Sequence, residues 1–285
     1  MNEGLTVLSL FDGGAMGYQA LKNAGISVKK YYASEINPYA QKVAWKNHPD
    51  IMQLGDVRNW RNWRIDWSSI DLLIGGSPCQ GFSIAGHRKG LEDERSGLFI
   101  EYLNIKNKIE QHNPALYFLL ENVRMKENEE KTISGLLQAR HVVLNSSLVS
   151  AQNRERLYWC NWEIKPPEDK NIYYCDILEE ATTAADKAPC LLTRLGEHTK
   201  HTKETGKDRP HHVYTHDGEL RKLSSVECER LQTLPDNYTA GVPETKRHEI
   251  IGNGWTVDMI SHIFRQMNGK RIKQLSISEV WECPV

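Results

Sequence analysis

No run of apolar residues in this sequence approaches the roughly 20 that a membrane-spanning helix needs. The opening Met1-Asn2-Glu3-Gly4 lacks the basic and apolar regions of a signal peptide, so a cytoplasmic protein is expected. Cysteine is sparse: six in 285 residues, at 79, 160, 175, 190, 228 and 283, with no C-x-x-C pair. That spacing argues against zinc, and a chain of this size needs no disulfide framework; most of the thiols are expected to be plain and buried. Excess charge is also missing. The formal net charge is -1, so any grip on a polyanion must come from a local patch. Internal repeats and low-complexity tracts are absent. What remains has the composition of an ordinary globular protein, long enough for one large domain or a large one with a small companion.

The first half alternates short β-branched or aromatic runs with longer amphipathic ones. Strands are predicted at Leu5–Leu10, Val28–Ser34, Leu72–Ile74, Leu116–Leu120 and Val142–Leu148. Helices are predicted at Ala15–Asn23, Tyr39–Asn47 and Leu98–Ile109. This alternation predicts an α/β fold with a parallel, doubly wound sheet. After Tyr158-Trp159 the pattern turns irregular, polar and rich in Lys, Arg and His. Regularity returns with helices at Ser224–Leu231 and Thr256–Met267, and Pro166-Pro167 and Gly218 read as boundary punctuation. The expected organisation is a large domain over 1–160, a small lobe over 161–222, a return to the large domain over 223–270 and a C-terminal extension over 271–285.

Chemistry gathers at the predicted strand ends. Phe11-Asp12-Gly13-Gly14-Ala15-Met16-Gly17 joins the first strand to the first helix, where glycines let a ligand approach and the helix offers free N–H groups. Glu35 closes the second strand, 23 residues beyond Asp12, where a carboxylate can accept both hydroxyls of a ribose. Asp56, in Gly55-Asp56-Val57, can accept from an adenine amino group. By itself this is also what a structural turn with two surface acids looks like, and a nicotinamide dehydrogenase is a sharper rival. The spacing, however, is not G-x-G-x-x-G.

Gly75-Gly76-Ser77-Pro78-Cys79-Gln80-Gly81-Phe82-Ser83 follows the fourth strand and puts a cysteine at the carboxyl edge of the sheet. A thiolate suits addition to a polarised ring carbon; an inert buried thiol is the plain alternative. Glu121 ends the next apolar strand, where an unpartnered acid is costly. Arg154 and Arg156, in Gln152-Asn153-Arg154-Glu155-Arg156, alternate as period-two geometry requires to share one side. They can pair with Glu121, grip a phosphate or polarise a base carbonyl.

The ordered set Phe11–Gly17, Glu35, Asp56, Pro78-Cys79-Gln80, Glu121-Asn122-Val123, Gln152–Arg156, Glu227-x-x-Arg230-Leu231-Gln232 and Gly252-Asn253-Gly254 resembles the DNA cytosine-5 methyltransferase family across nearly the whole chain. Asp12-Gly13 with Gly17, Arg88–Leu91, Ser96–Phe99 and Trp255 look most like the eukaryotic de novo enzymes and their bacterial or phage relatives. The glycine turn departs from the usual F-x-G-x-G-G pattern. Gly254-Trp255 stands where bacterial members commonly carry Ser-Val, and Gln80 follows the bacterial form.

The resemblance implies a Rossmann-like fold that binds S-adenosyl-L-methionine, with a small target-recognition lobe. It implies cofactor contacts by Phe11, Asp12, Gly13, Met16, Glu35, Ile36, Asp56, Val57, Pro78, Asn253 and Trp255. Cys79 would add to carbon-6 of cytosine, Glu121 would protonate the ring, Arg156 would hold the base carbonyl, and Arg154 would brace the loop or a phosphate. The target must be flipped out of double-stranded DNA, and Gly81–Gly97 reads as a loop that closes over it.

DNA contacts are expected from Gln80, Ser83 and Arg88, and from Arg194, Lys200, Lys203, Lys207 and Arg209 of the lobe. Glu197, Glu204 and Asp208 among these cations fit a solvated face equally well. His198, His201, His211, His212 and His216 raise a metal site, but the spacing is not that of paired ligands and no metal is expected. A second copy of the chain and a cognate restriction enzyme are further partners the pattern allows. Two rival functions stand beside this one: a tRNA cytosine-5 methyltransferase, although the Cys-Phe-Thr element of the eukaryotic tRNA-directed relative is absent, and a non-catalytic regulatory homologue.

Overall fold

The apolar runs form strands close to their predicted bounds. The computed structural model describes residues 4–77, 94–193 and 211–267. In it, β1 (Leu5–Leu10), β2 (Val28–Ser34), β3 (Met52–Gln53), β4 (Leu72–Gly75), β5 (Tyr117–Asn122), β6 (His141–Asn145) and β7 (Glu155–Cys160) make one sheet in the order β3-β2-β1-β4-β5-β7-β6. β1 to β5 pair in parallel. β7 runs antiparallel between β5 and β6, which corrects the expectation of a wholly parallel sheet. The reason is length. Only a short 3-10 turn (Ser146–Leu148) and a loop join β6 to β7, too little chain for the crossover that a parallel pair requires.

Side chains alternate between two cores, as a two-residue period dictates. Val7, Leu72, Ile74 and Leu119 face one core; Leu8, Leu10, Leu73, Phe118 and Leu120 face the other. The first core takes α1 (Met16–Asn23) and α2 (Pro38–Asn47). The second takes α3 (Glu94–His112), whose Phe99, Tyr102, Ile105 and Ile109 are fully buried at helical spacing. It also takes α4 (Glu127–Leu137), a helix with too few apolar positions to announce itself, held by Ile133 and Leu137 and by an acidic first turn that suits the helix dipole. Because the chain winds from β1 outward to β3 and then from β4 in the other direction, a crevice opens between β1 and β4. Open α/β sheets bind ligands at such a switch point.

Beyond β7 the chain forms a small antiparallel sheet of β8 (Ala181–Thr182), β9 (His212–Thr215) and β10 (Leu220–Lys222). Gly218 sits in the β9–β10 turn at φ +83°; that turn, and not a boundary, is what its conformation serves. Three further helices follow: α5 (Ser225–Leu231), α6 (Glu244–Asn253) and α7 (Val257–Arg265). α7 returns to the main sheet, where Ser261 Oγ donates to the Ala20 carbonyl at 3.1 Å.

Among the described residues, the small sheet shares its core with the helices that follow it. Tyr174, Ile177, Leu191 and Val213 pack with Cys228 and Leu231 of α5 and with Ile251 of α6. One lysine pins this region to the large sheet: Lys187 Nζ donates to the carbonyls of Ser147 (2.7 Å), Ser150 (3.1 Å) and Ile172 (2.6 Å). Lys187→Met leaves three half-buried acceptors unsatisfied, so a loss of about 2–4 kcal/mol is expected in urea unfolding. A change below about 0.5 kcal/mol would assign the anchorage to the apolar contacts alone. Of the described cysteines, Cys160 and Cys228 are buried, Cys190 is half-buried and Cys175 is exposed, so not all are plain core thiols. Burial pushes the Cys160 thiol up to about 12.

Candidate active site

The crevice between β1 and β4 is a cavity of about 420 Å³. Into it project the turn after β1 (Phe11, Asp12, Gly13, Met16, Gly17), Glu35 after β2, Gly76 and Ser77 after β4, Glu121 at the end of β5, and Arg154 and Arg156. Asn253, at the end of α6, and Gly254 and Trp255 just beyond it close one side. Residues separated by more than 200 positions thus share one wall because the sheet brings its carboxyl ends together.

The turn after β1 is conformationally costly. Phe11 and Ala15 hold φ of +58° and +60°, and Gly13 adopts +60° without that cost. Glu35 pins the turn: its Oε2 accepts from Gly13 N at 2.8 Å, and its Oε1 accepts from Ile36 N and Asn37 N at 2.8 and 2.7 Å. From beneath, Tyr238 Oη donates to the Gly14 carbonyl at 2.9 Å. Asp12 Oδ1 accepts from Tyr31 Oη at 2.7 Å, while its Oδ2 is buried without a hydrogen-bond partner among the described residues. Burial pushes the Asp12 carboxyl up to about 7; hydrogen bonds from Ser9 and Tyr31 oppose this, and the nearby Glu35 charge adds to it.

Two arginines take different partners. Arg156 Nε lies 3.0 Å from Glu121 Oε1, with both side chains nearly buried (13% and 11% exposed). Burial disfavours the Arg156 charge, but the Glu121 carboxylate, Cys190 and Tyr158 together outweigh it and the guanidinium is held more firmly charged. Arg154 is spent on the backbone. Its guanidinium donates to the carbonyls of Leu191 (3.3 Å), Gly252 (3.3 Å) and Gly254 (2.9 Å). Burial, with Arg156 beside it, pulls its pKa down. Of the two roles offered for Arg154, the contacts fit the brace. Both arginines also approach Cys190 Sγ, at 3.3 Å from Arg154 and 3.6 Å from Arg156.

A family model for C-5 cytosine-specific DNA methylases matches residues 5–162 and 165–269. The chain belongs to that family. Among DNA methylases of this kind, it is 38% identical to "Orphan methyltransferase M.SPRI" of Bacillus phage SPR over 54% of this chain and 37% of that protein. It is 27% identical to "Type II methyltransferase M.HpaII" of Haemophilus parainfluenzae over 95% of this chain and 90% of that one. The chain thus spans little more than a third of its phage relative and most of the bacterial one. In fold it is similar to the DNMT2 crystal structure from Spodoptera frugiperda, at a TM-score of 0.65 and 16% identity over 92% of this chain and 99% of that one.

Not every residue singled out in the sequence meets in the cavity. Ile36, 68% exposed, stands beside the cavity rather than in its wall. Asp56 caps the 3-10 turn Val57–Asn62, and Arg58 grips its carboxylate, with Nε at 2.9 Å from Oδ2. That contact pulls the Asp56 pKa down, and neither Asp56 nor Val57 lines the cavity. Pro78, Cys79, Gln80, Ser83, Arg88, Arg194, Lys200, Lys203, Lys207 and Arg209 lie outside the described residues.

Asn37 was missed in the sequence, and Ser77 and Gln232 were named there within motifs but given no role. Asn37 caps α2 and lines the cavity, a role that Asn-Pro at the start of a helix signals locally. Gln232, fully buried, donates to the Ile251 and Gly254 carbonyls at 2.9 and 3.1 Å. The motif Glu227–Gln232 includes it, but its role was not legible because its partners are distant in sequence. Gly252 is needed for approach: a Cβ there would lie 2.4 Å from the Leu192 carbonyl oxygen.

Proposed function

We propose that this chain methylates carbon-5 of a cytosine swung out of duplex DNA, with S-adenosylmethionine as donor and Cys79 as nucleophile. The observation that carries the reading is the Glu121–Arg156 pair at the end of β5, on the floor of the same cavity that the β1 turn enters. An acid and a planar cation held together there offer a proton and a carbonyl clamp to one pyrimidine edge.

The pocket chemistry fits the donor. Asp12 Oδ2, buried and lacking a partner among the described residues, suits an ammonium group, and Glu35 and Asn37, which line the same cavity, would accept from ribose hydroxyls. When bound, S-adenosylmethionine supplies an electrophilic methyl group on a sulfonium. The chain does the rest. The Cys79 thiolate adds to carbon-6, which turns the electron-poor ring into an enamine nucleophilic at carbon-5. Glu121 protonates the ring nitrogen, and Arg156 holds the base carbonyl. Loss of the carbon-5 proton to solvent water, return of the ring-nitrogen proton to Glu121 and expulsion of the thiolate then restore the ring. We read 161–222 as the target-recognition lobe, with Arg194, Lys200, Lys203, Lys207 and Arg209 on phosphates or guanine edges. Among the described residues no helix is long and apolar enough to cross a membrane.

Labelled methyl transfer onto duplex DNA and onto tRNA, followed by bisulfite sequencing of DNA from an expressing host, tests this. Label on duplex DNA at one short site is expected; label on tRNA alone would refute the reading.

A pH dependence follows from Asp12. With its carboxyl near 7, the ligand-free folded chain is stabilised by the proton. That contribution is complete below the unfolded carboxylate value of about 4 and is lost as the pH rises through about 7. A cationic ligand needs the carboxylate, so binding releases the proton. S-adenosylhomocysteine, which carries the same ammonium, should bind about tenfold more weakly at pH 6 than at pH 8, measured by calorimetry. Asp12→Asn should bind weakly and without this dependence; an unchanged dependence would place its origin in another group.

A further inference from the structure

Trp255 does more than line the cavity. Its ring lies in a slot that two glycines leave open: a Cβ on Gly17 would come within 3.2 Å of Trp255 Cζ3, and one on Gly76 within 3.1 Å of its Nε1. From that slot Nε1–H donates to Glu121 Oε2 at 3.2 Å. The other carboxylate oxygen, Oε1, pairs with Arg156 Nε at 3.0 Å. Arg156 alone would let the carboxylate swing about a single contact. The indole N–H, donating to the other oxygen, fixes its plane.

The backbone that carries Trp255 is itself clamped. Gly254 O accepts from Arg154 at 2.9 Å and from Gln232 Nε2 at 3.1 Å. Gln232 Oε1 in turn accepts from Gln152 Nε2 at 3.0 Å and from Thr256 Oγ1 at 2.8 Å. Arg154, Gln152, Gln232 and Thr256 are all buried, so their groups have no water to turn to and the network holds one arrangement. Arg154 therefore acts on Glu121 through Gly254 and the indole.

We propose that Trp255 is a positioning residue for Glu121: its indole N–H, wedged between Gly17 and Gly76, sets the orientation in which the acid meets the base. The inference rests on the function proposed above. Trp255→Phe keeps the ring and removes only the N–H. It is expected to lower kcat on the order of tenfold, the scale of one hydrogen bond to a charged group, with KM for S-adenosylmethionine within about twofold. Gly76→Ala is the second variant. Its methyl group would meet Glu121 Oε2 at 3.0 Å and Trp255 Nε1 at 3.1 Å, and the same loss in kcat is expected.

A readout independent of turnover is the indole N–H resonance of Trp255, one of eight tryptophans, identified by its absence in Trp255→Phe. It should shift in Glu121→Gln. A kcat unchanged in Trp255→Phe, a rise in KM for S-adenosylmethionine with kcat intact, or an indole resonance indifferent to Glu121→Gln overturns the positioning role while the methylase reading stands. A wild-type chain that transfers no methyl overturns that reading, and the positioning role with it; the resonance then still reports whether the contact exists.

Discussion

Cys79→Ala is expected to lower methyl transfer to duplex DNA by at least about 10⁴-fold, the scale on which enzymes lose turnover when a covalent nucleophile is removed. Carbon-5 of cytosine is too electron-poor to attack a methyl donor directly. Activation comes from addition of the thiolate at carbon-6. Serine is a poor replacement because a hydroxyl is scarcely ionised at neutral pH, whereas a thiolate is accessible. The measurement is labelled methyl transfer, paired with trapping on a duplex carrying 5-fluorocytosine, where methylation leaves no proton to remove and the adduct persists. The wild-type chain should form an adduct stable to denaturation, and Cys79→Ala none. DNA binding by the variant should persist, because the phosphate contacts do not depend on the thiol. An adduct in Cys79→Ala would move the nucleophile to another residue.

Glu121→Gln is expected to lower kcat by about 10²–10⁴-fold, the usual share of a positioned acid. The geometry adds a second reason to the loss of a proton donor. The two oxygens of Glu121 face the Arg156 guanidinium, an ion pair with Nε at 3.0 Å, and the Trp255 indole N–H, a hydrogen bond of 3.2 Å. An amide has one acceptor oxygen, so its NH₂ must oppose one of those donors. Arg156, 13% exposed, would then carry its charge in a nearly closed site without a counter-ion, and a stability loss of about 2–3 kcal/mol is expected. Steady-state kinetics should therefore be read beside a thermal melt. A fall in kcat with the chain fully folded at the assay temperature supports the assignment; full activity would remove Glu121 from the chemistry.

Local pattern carried the frame of this fold. β1 and β2 lie at their predicted bounds because a buried strand needs only a short β-branched run ended by a turn, and both signals are local. α4 was not legible, since Ile133 and Leu137 are few apolar positions and the helix is completed by packing on the second core. The antiparallel setting of β7 was not legible either. A strand's direction depends on which neighbour it meets, although the short link from β6 was a usable hint.

The site divides along the same line. Asp12, Glu35 and Glu121 could be chosen from the sequence because each sits at the end of an apolar strand or in the turn just beyond, where polar groups are costly without a task, and Arg154 and Arg156 because they alternate just ahead of an apolar run. Their division of labour was not visible. Arg154 and Arg156 look equivalent two residues apart, yet one meets backbone carbonyls and the other the Glu121 carboxylate. That difference is decided by Gly252 and Gly254, about 100 residues away. Asp56 looked like a ligand for adenine, but Arg58, two positions on, occupies its carboxylate.

Residue order along the chain thus determined the fold class, the family and the set of reactive groups, because those rest on short-range periodicity and on the types of side chain present. Tertiary structure alone decided which donor faces which acceptor. The Trp255–Glu121 contact spans 134 positions, and it exists because the sheet aligns the ends of β4 and β5 while two glycines leave room for an indole beside them. Hydrogen bonds are satisfied by proximity in space, and proximity across a sheet is not written in any window of sequence.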